Sequence, residues 1–448
     1  MGTPDPGSGP APALHVAVVG AGVTGLATAV RARAAGHRVT LVAPELPGPA
    51  DPPGDLRVDG ATHAAAGMLA PLTETQHSQD ALAPLLRAAW ERYPVFLALL
   101  AAATAAPTGH DASGSYAVGL DRADVDQWAH VLGRAERHGR RAERLTPTAL
   151  RRAAPALAPT VAGGFAAPDD HSLDPRLLAR ACLAAVRAPA SSVPSGTDAR
   201  LADDPGPARL VPGRALAVHQ AGRGVVLEVA PTPGGGAVEV RADVAVLAAG
   251  LGHGALGGAP AAVPLPLRPV HGDILRLRVP PRLLGPGEDR LLPGPVRSLV
   301  HGRSVYLVPR ADGGLVVGAT VREDGVAATP AGAVLDLLAD AAAVVPAVRE
   351  CDLVEVLTAA RPGTPDDLPL LGPLPHAPRV VVATGAHRHG ILLAPWASAA
   401  ALALALAERA AGLDPTDPAA LAAAHATRLD RFPPAPPAPD REDTPCPA

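Results

Sequence analysis

The chain contains no lysine and no asparagine; all 39 of its Lys/Arg residues are arginine. The missing lysine removes whole classes of chemistry. A pyridoxal enzyme needs a lysine for its Schiff base, and a Walker-type phosphate loop needs its lysine, so both are excluded. The shortage of asparagine beside many Ala, Gly and Pro fits coding bias rather than function. Cysteine is nearly absent as well: Cys182, Cys351 and Cys446 lie far apart. They form no C-x-x-C pair for zinc and no redox disulfide motif. There is no basic excess either, since the net charge is -4, so a nucleic-acid partner is not expected. The N-terminus shows no charged n-region followed by an apolar h-region, so no signal peptide is expected. The longest apolar run, Ile391 to Ala407, is interrupted by Pro395 and stops at Glu408-Arg409. It falls short of the ~20 residues that cross a bilayer. The expectation is a soluble cytoplasmic protein with no membrane partner, possibly a homo-oligomer.

A chain of 448 residues that is 48% hydrophobic has ample material for a large core, and its length favours two domains. After a Pro/Gly-rich lead-in, Val16 to Val19 reads as a strand buried on both faces. A glycine loop follows, then a helix over Leu26–Ala35, with Gly36 where a C′ cap belongs. Val39 to Val42 is the next strand, completing a βαβ unit. Residues 44–54 form a Pro-rich loop, and 76–152 look mostly helical. Short strands follow between 205 and 250, ending in Val244 to Leu247. Asp273 to Val279 alternates as a half-buried strand does. Val305–Val308 and Leu315–Val317 flank Arg310 to Gly314 as a hairpin. Arg379 to Ala383 is a late buried strand, followed by Gly385 and a long apolar helix.

Two strand–glycine–helix units thus bracket a separate set of strands. The expected fold is α/β (α+β overall): a doubly wound cofactor domain from 14–102, 163–268 and 356–430, and a discontinuous antiparallel-sheet substrate domain from 103–162 and 269–355. Residues 1–13 and 431–448 are expected to be disordered.

The chemistry-bearing motif is Gly20-x-Gly22-x-x-Gly25. The first glycine permits the tight turn, the second lets main chain approach a pyrophosphate, and the third lets helix pack on strand. The helix N-terminus then offers free N–H groups to the phosphates, with Val23 and Thr24 as the first of them. The carboxylate that should end the second strand and hold the ribose hydroxyls is missing: Ala43 and Pro44 stand there, and Glu45 comes two residues later. Either Glu45 reaches back or the ribose is held more weakly. The loop by itself says dinucleotide, not which one.

Further stretches resolve that choice by likeness. They are Ala65-Ala66-Gly67-Met68-Leu69-Ala70-Pro71, Pro269-Val270-His271-Gly272-Asp273, Tyr306-Leu307-Val308-Pro309-Arg310 with Gly318-Ala319-Thr320, and Arg361-Pro362-Gly363-Thr364 with Gly390-Ile391-Leu392-Leu393-Ala394-Pro395. In this order they resemble glycine oxidase of the D-amino-acid oxidase fold, over about residues 14–430. The resemblance implies FAD, a small amino acid (glycine) and O2 as reactants, and oxidation of glycine to its imine with release of H2O2. The imine either supplies thiazole synthesis for thiamine or hydrolyses to glyoxylate and ammonia. Sarcosine or another small amine is the alternative within this fold. A degenerate flavin-fold protein with weak FAD binding is the alternative of another class.

The same resemblance implies roles. Arg361 would clamp the substrate carboxylate, for which a guanidinium offers two parallel hydrogen bonds. Tyr306 would donate to that carboxylate or cover it, and Arg388 would lie beside flavin and substrate. Ala61, Thr62, Ala66, Gly67 and Met68 would pass beside the flavin ring, and Ala215 would touch adenine. Gly385, His387, Arg388, His389, Gly390, Ile391 and Leu392 would line the pyrimidine edge. The chain departs from the likeness in carrying Ala386 and His387 where a histidine and an aromatic are usual, and Ser304 where a histidine is usual. Pro395 fits only if it falls in the first turn of its helix. No metal is expected.

Overall fold

The computed structural model describes residues 13–48, 60–74, 79, 81–137, 140–189, 206–232, 236–406 and 426–432. The expected disorder at 1–12 and 433–448, and the part of the Pro-rich loop from 49 to 54, lie outside the described residues.

The first strand, His15–Val19, explains the architecture around it. Val16 and Val18 project into one apolar core, Ala17 and Val19 into another. A strand buried on both faces needs a layer on each side. On one side lie the helices Val23–Ala34, Ala83–Ala103, Pro175–Arg187 and Gly390–Leu406. The other side is closed by an antiparallel ribbon, Arg209–Ala221, Gly224–Pro231 and Val238–Ala242. The strand order is Val238–Ala242, Gly224–Pro231, Arg209–Ala221, Arg38–Ala43, His15–Val19, Val244–Leu247, Ala377–Thr384, Leu370–Leu374. From Arg209–Ala221 to Ala377–Thr384 neighbouring strands pair in parallel. Arg209–Ala221 reaches both layers by bending at an irregularity between Ala215 and Ala217.

The last helix is a core element. By length and composition His387–Leu406 would span a bilayer, but 72% of its apolar window is buried inside the fold. Pro395 sits in its second turn, not its first. The proline has no N–H to give Ile391 O, and the Tyr93 hydroxyl donates to that carbonyl instead, at 2.5 Å.

The second sheet has the order Asp352–Gly363, Arg268–Arg278, Gly314–Gly318, Arg303–Pro309, Val296–Val300, Ser115–Gly119, Gly163–Ala167, Glu143–Leu145. Its pairs are antiparallel except Val296–Val300 with Ser115–Gly119. Alternation sets its two faces. Val305, Leu307, Leu315 and Val317 pack into a core shared with the helix Ala331–Val344, whereas Tyr306, Val308, Val316 and Ile274 face Ala64 to Ala70. The stretch 76–152 is mostly helical, as expected, in Ala83–Ala103, Arg122–Arg137 and Pro147–Ala153, but it also carries the strands Ser115–Gly119 and Glu143–Leu145. Two expected boundaries shift. Gly163–Ala167, which the boundary at 163 assigns to the cofactor part, pairs within this second sheet. The boundary at 356 cuts through the strand Asp352–Gly363. In each case the pairing partner is remote in sequence, so local composition carries no trace of it.

Candidate active site

A cavity of about 830 Å³ runs between the parallel sheet and the second sheet, within the range of ligand clefts. At one end it is lined by Gly20, Gly22, Val23 and Thr24. Gly20 has φ 103°, donates to Val42 O at 2.8 Å, and a Cβ there would stand 2.5 Å from Ala248 O. A Cβ on Gly25 would lie 2.0 Å from Gly20 O, so this glycine is what lets the helix press onto the loop. Gly25 therefore packs behind the cavity, inside a helix that begins at Val23 rather than Leu26. Gly22 is the opposite case: a Cβ there meets only Thr62 Oγ1, at 3.5 Å. As N-cap it supplies no side-chain cap, and Val23 N–H donates to Thr62 Oγ1 at 3.1 Å. A helix start with open main chain and no acidic residue in its first turn is suited to a phosphate. Ala43 closes the second strand, buried, and Glu45 lines the same end with Gly213, Arg214 and Ala215.

The middle of the cavity is lined by Ala61, Thr62, Ala66, Gly67 and Met68. Arginines hold this segment by its carbonyls. His63 O accepts from Arg176 and Arg276, at 3.1 Å each, and Ala66 O accepts from Arg310. Glu355 pairs with Arg176 at 2.8 Å, and Asp174, the N-cap of Pro175–Arg187, stands 3.4 Å from Arg310. Gly67 has φ 77°, and a Cβ on it would strike Leu173 O at 2.1 Å.

At the far end the side chains take over. Tyr306 lies opposite Gly318 in the sheet, where a Cβ would be 2.4 Å from the phenol oxygen. The Arg361 guanidinium lies over Gly272, where a Cβ would be 2.3 Å from Nη2. Two glycines thus clear the berths for the two expected substrate contacts. Burial pushes the Tyr306 phenol up and the Arg361 guanidinium down from their usual values. Arg361 donates only long bonds, 3.5 Å to His271 O and 3.4 Å to Thr320 O, and among the described residues it has no carboxylate partner. Arg388, His387, Gly385, Gly390 and Ile391 line this end too. His389 and Leu392, expected with them, do not: both are buried, Leu392 in the helical core.

Two further residues at this end have no counterpart in the sequence reading. Glu74 and Arg297 line the cavity as a buried ion pair at 3.0 Å. Burial pushes the Glu74 carboxyl up, against the pull of Arg297, then Arg388 and Arg361. Arg297 pairs across the hairpin with Tyr306. The turn at His301-Gly302, with φ of 51° and 82°, fixes that register, and was the available signal. Glu74 is set by Asp170, whose buried carboxyl takes bonds from Leu72 N, Thr73 Oγ1 and Ser115 Oγ at 3.4, 2.7 and 3.0 Å. Burial pushes Asp170 up to about 6.

A parallel sheet entered through a glycine-loop helix, and a second sheet presenting unpaired arginine to the same cavity, define a flavin-dependent oxidoreductase architecture. The chain belongs to the FAD-dependent oxidoreductase family (DAO), which it matches over residues 15–404. FAD is its cofactor, and the residues fit it: the cavity has open main chain at Gly22 and an uncapped helix start for the pyrophosphate. The chain is 30% identical to the bifunctional protein ThiO/ThiG of a Nostoc species over 386 residues, 86% of this chain and 51% of that protein. It is 33% identical to the glycine oxidase of Pseudomonas aeruginosa over 178 residues, 40% of this chain and 45% of that protein. The chain thus spans about half the length of these curated relatives. The crystal structure of glycine oxidase from Geobacillus kaustophilus superposes with a TM-score of 0.71 at 27% identity, covering 89% of this chain and 96% of that one.

Proposed function

We propose that the chain oxidises glycine to its imine, with O2 taking the electrons to give H2O2, and that the imine serves thiazole synthesis for thiamine or hydrolyses to glyoxylate. The observation that carries this reading is Arg361: a half-buried guanidinium with no carboxylate partner among the described residues, facing the cavity that would hold FAD. The names of the relatives, ThiO/ThiG and glycine oxidase, support the same substrate.

FAD, held in this cavity, would supply the acceptor for one hydride, which carries both electrons. The protein positions the substrate. Arg361 takes the carboxylate through paired N–H groups, and Tyr306 adds an O–H donor from the strand Arg303–Pro309 of the same sheet. Arg388 adds positive charge at the same end. With the carboxylate fixed at two oxygens, only rotation about the C–Cα bond is left to aim one of glycine's two α-hydrogens, which favours direct transfer without a base on carbon.

Adding glycine to the purified yellow protein without oxygen is expected to bleach the flavin, and readmitting O2 to restore it with H2O2. A protein that takes up no FAD, or whose flavin glycine leaves oxidised, would sink the reading. Arg361→Ala removes two charge-assisted bonds, worth about 1.5–3 kcal/mol each. KM for glycine is expected to rise at least ~10²-fold, with a smaller change in kcat. Unchanged steady-state constants in that variant would show that the clamp is elsewhere.

A further inference from the structure

Three described non-glycine residues have φ in the left-handed region: His301, Asp367 and His387. His301 belongs to the hairpin turn. The other two, at φ 60° and 46°, meet each other at the cavity. His387 Nδ1 stands 3.1 Å from Asp367 Oδ1, an ion-pair distance without hydrogen-bond alignment, and neither atom has a hydrogen-bond partner among the described residues. The second Asp367 oxygen accepts from Gln79 Nε2 at 2.9 Å. Two strained residues holding one another in a ligand cavity is where structure points to function. A carboxylate at Nδ1 fixes the proton there, leaving Nε2 as an acceptor. The His387 side chain is only 11% exposed and lines the cavity near Arg361 and Arg388.

We propose that His387, oriented by Asp367, takes the proton from the substrate ammonium, producing the neutral amine that hydride transfer requires. The proposal rests on the amino-acid reading above. The N–H bond of the ammonium breaks and an Nε2–H bond forms. The freed electron pair stays on the substrate nitrogen, and the imidazolium is balanced by the Asp367 carboxylate. His387 is the catalytic residue and Asp367 the positioning one. Glu74 is the rival acceptor, but its carboxylate is already engaged with Arg297 at 3.0 Å.

The surroundings make the base depend on substrate. His387 faces Asp367 and, beyond it, Arg268, which comes within 4.0 Å of that carboxylate; Arg361 of the strand Asp352–Gly363; and Arg388 and His389 of its own turn. Burial holds the imidazole below the ordinary histidine range, Asp367 opposes this, and Arg361, Arg388 and Arg268 add to it. Without ligand the ring is neutral. A carboxylate arriving on Arg361 neutralises one of the cations that depress it, so docking raises the ring's affinity for a proton. The linkage has a sign: a carboxylate ligand binds more tightly as pH falls through the complex's raised histidine value.

The test uses flavin-loaded enzyme. His387→Phe is expected to lower kcat/KM for glycine ~10²-fold near neutrality. The deficit should close as pH rises to where solution itself deprotonates glycine. Asp367→Asn should show an intermediate loss with the same closure, and serves if His387→Phe does not fold. Acetate, which carries no amine, probes the coupling without turnover. Its affinity, read from the flavin spectrum, should weaken with rising pH in the wild type and stay flat in His387→Phe. A deficit independent of pH, no deficit, or a flat wild-type acetate profile overturns the proposal. If glycine fails to bleach wild-type flavin while the acetate slope appears and depends on His387, the glycine reading falls and the dyad stands for another small amino acid.

Discussion

The two ends of the cavity solve recognition differently. At the end proposed for the phosphates the cavity is lined largely by main chain: Gly20, Gly22 and the start of the helix Val23–Ala34, with one hydroxyl from Thr62. The end proposed for the substrate is lined by polar and phenolic side chains from five separate stretches, carrying Glu74, Arg297, Tyr306, Arg361 and His387–Arg388. Main chain can approach a phosphate only where side chains are missing, so that end is written as spaced glycines. An oriented carboxylate needs two-pronged donors, which long side chains on a sheet provide. The glycine loop and helix start of the first end are local in sequence, although Glu45 and Gly213 to Ala215 line it too. The second is assembled from remote segments and titratable.

The largest expected effect breaks the phosphate end in two distinguishable ways. Gly25→Val forces a side chain into the Gly20 main chain, whose O lies 2.0 Å from the added Cβ and cannot yield, with Ala248 Cβ at 3.3 Å. We expect no soluble folded protein. Gly22→Val puts its Cβ into open cavity, with only Thr62 Oγ1 nearby at 3.5 Å. That variant should fold, with an unchanged far-ultraviolet dichroism spectrum, and fail to retain FAD. If both variants fold and both lose FAD, the assignment of Gly25 to packing and Gly22 to ligand is wrong.

The next effect breaks the substrate end. Glu74→Gln leaves Arg297 buried and uncompensated, and removing one partner of a buried pair costs about 3–5 kcal/mol. Replacing both, as Glu74→Leu with Arg297→Met, should recover most of that loss in Tm while leaving glycine turnover impaired. A double variant no more stable than Glu74→Gln would show that the pair is not energetically coupled.

This contrast also explains what the sequence made legible. Gly20, Gly22 and Gly25 were readable because their spacing follows from one turn and one helix start. Tyr306 and Arg361 were reached only through likeness to a family, and the structure supplies the reason those segments carry glycine: Gly318 and Gly272 clear space for the two side chains. Glu74 and Arg297 were missed because an acid and an arginine, 223 residues apart, look in sequence like two surface charges. Only burial, 7% exposed each, reveals them as a pair. Ser115–Gly119 was missed for a similar reason: its partners, Val296–Val300 and Gly163–Ala167, are distant in the chain.

The smallest effect sharpens the claim that the substrate end is titratable. Asp170 is buried at 1% exposure and is the anchor of the segment carrying Glu74. Burial raises its carboxyl from 3.8 to about 6. A raised folded-state value means its contribution to stability is fully present below 3.8 and lost as pH rises through about 6. At neutral pH the buried charge therefore costs stability, on the order of 3 kcal/mol. Asp170→Asn keeps an acceptor for Leu72 N and a side chain able to bond both hydroxyls, which rotate to suit. The variant should match or exceed the wild-type Tm near pH 7, and its advantage should shrink as pH falls through about 6 towards 3.8. FAD affinity, set at the far end by main chain, should not follow that profile. A Tm difference that is constant across this range would mean Asp170 does not change its ionisation on folding, and that Glu74 is positioned by something other than its titration state.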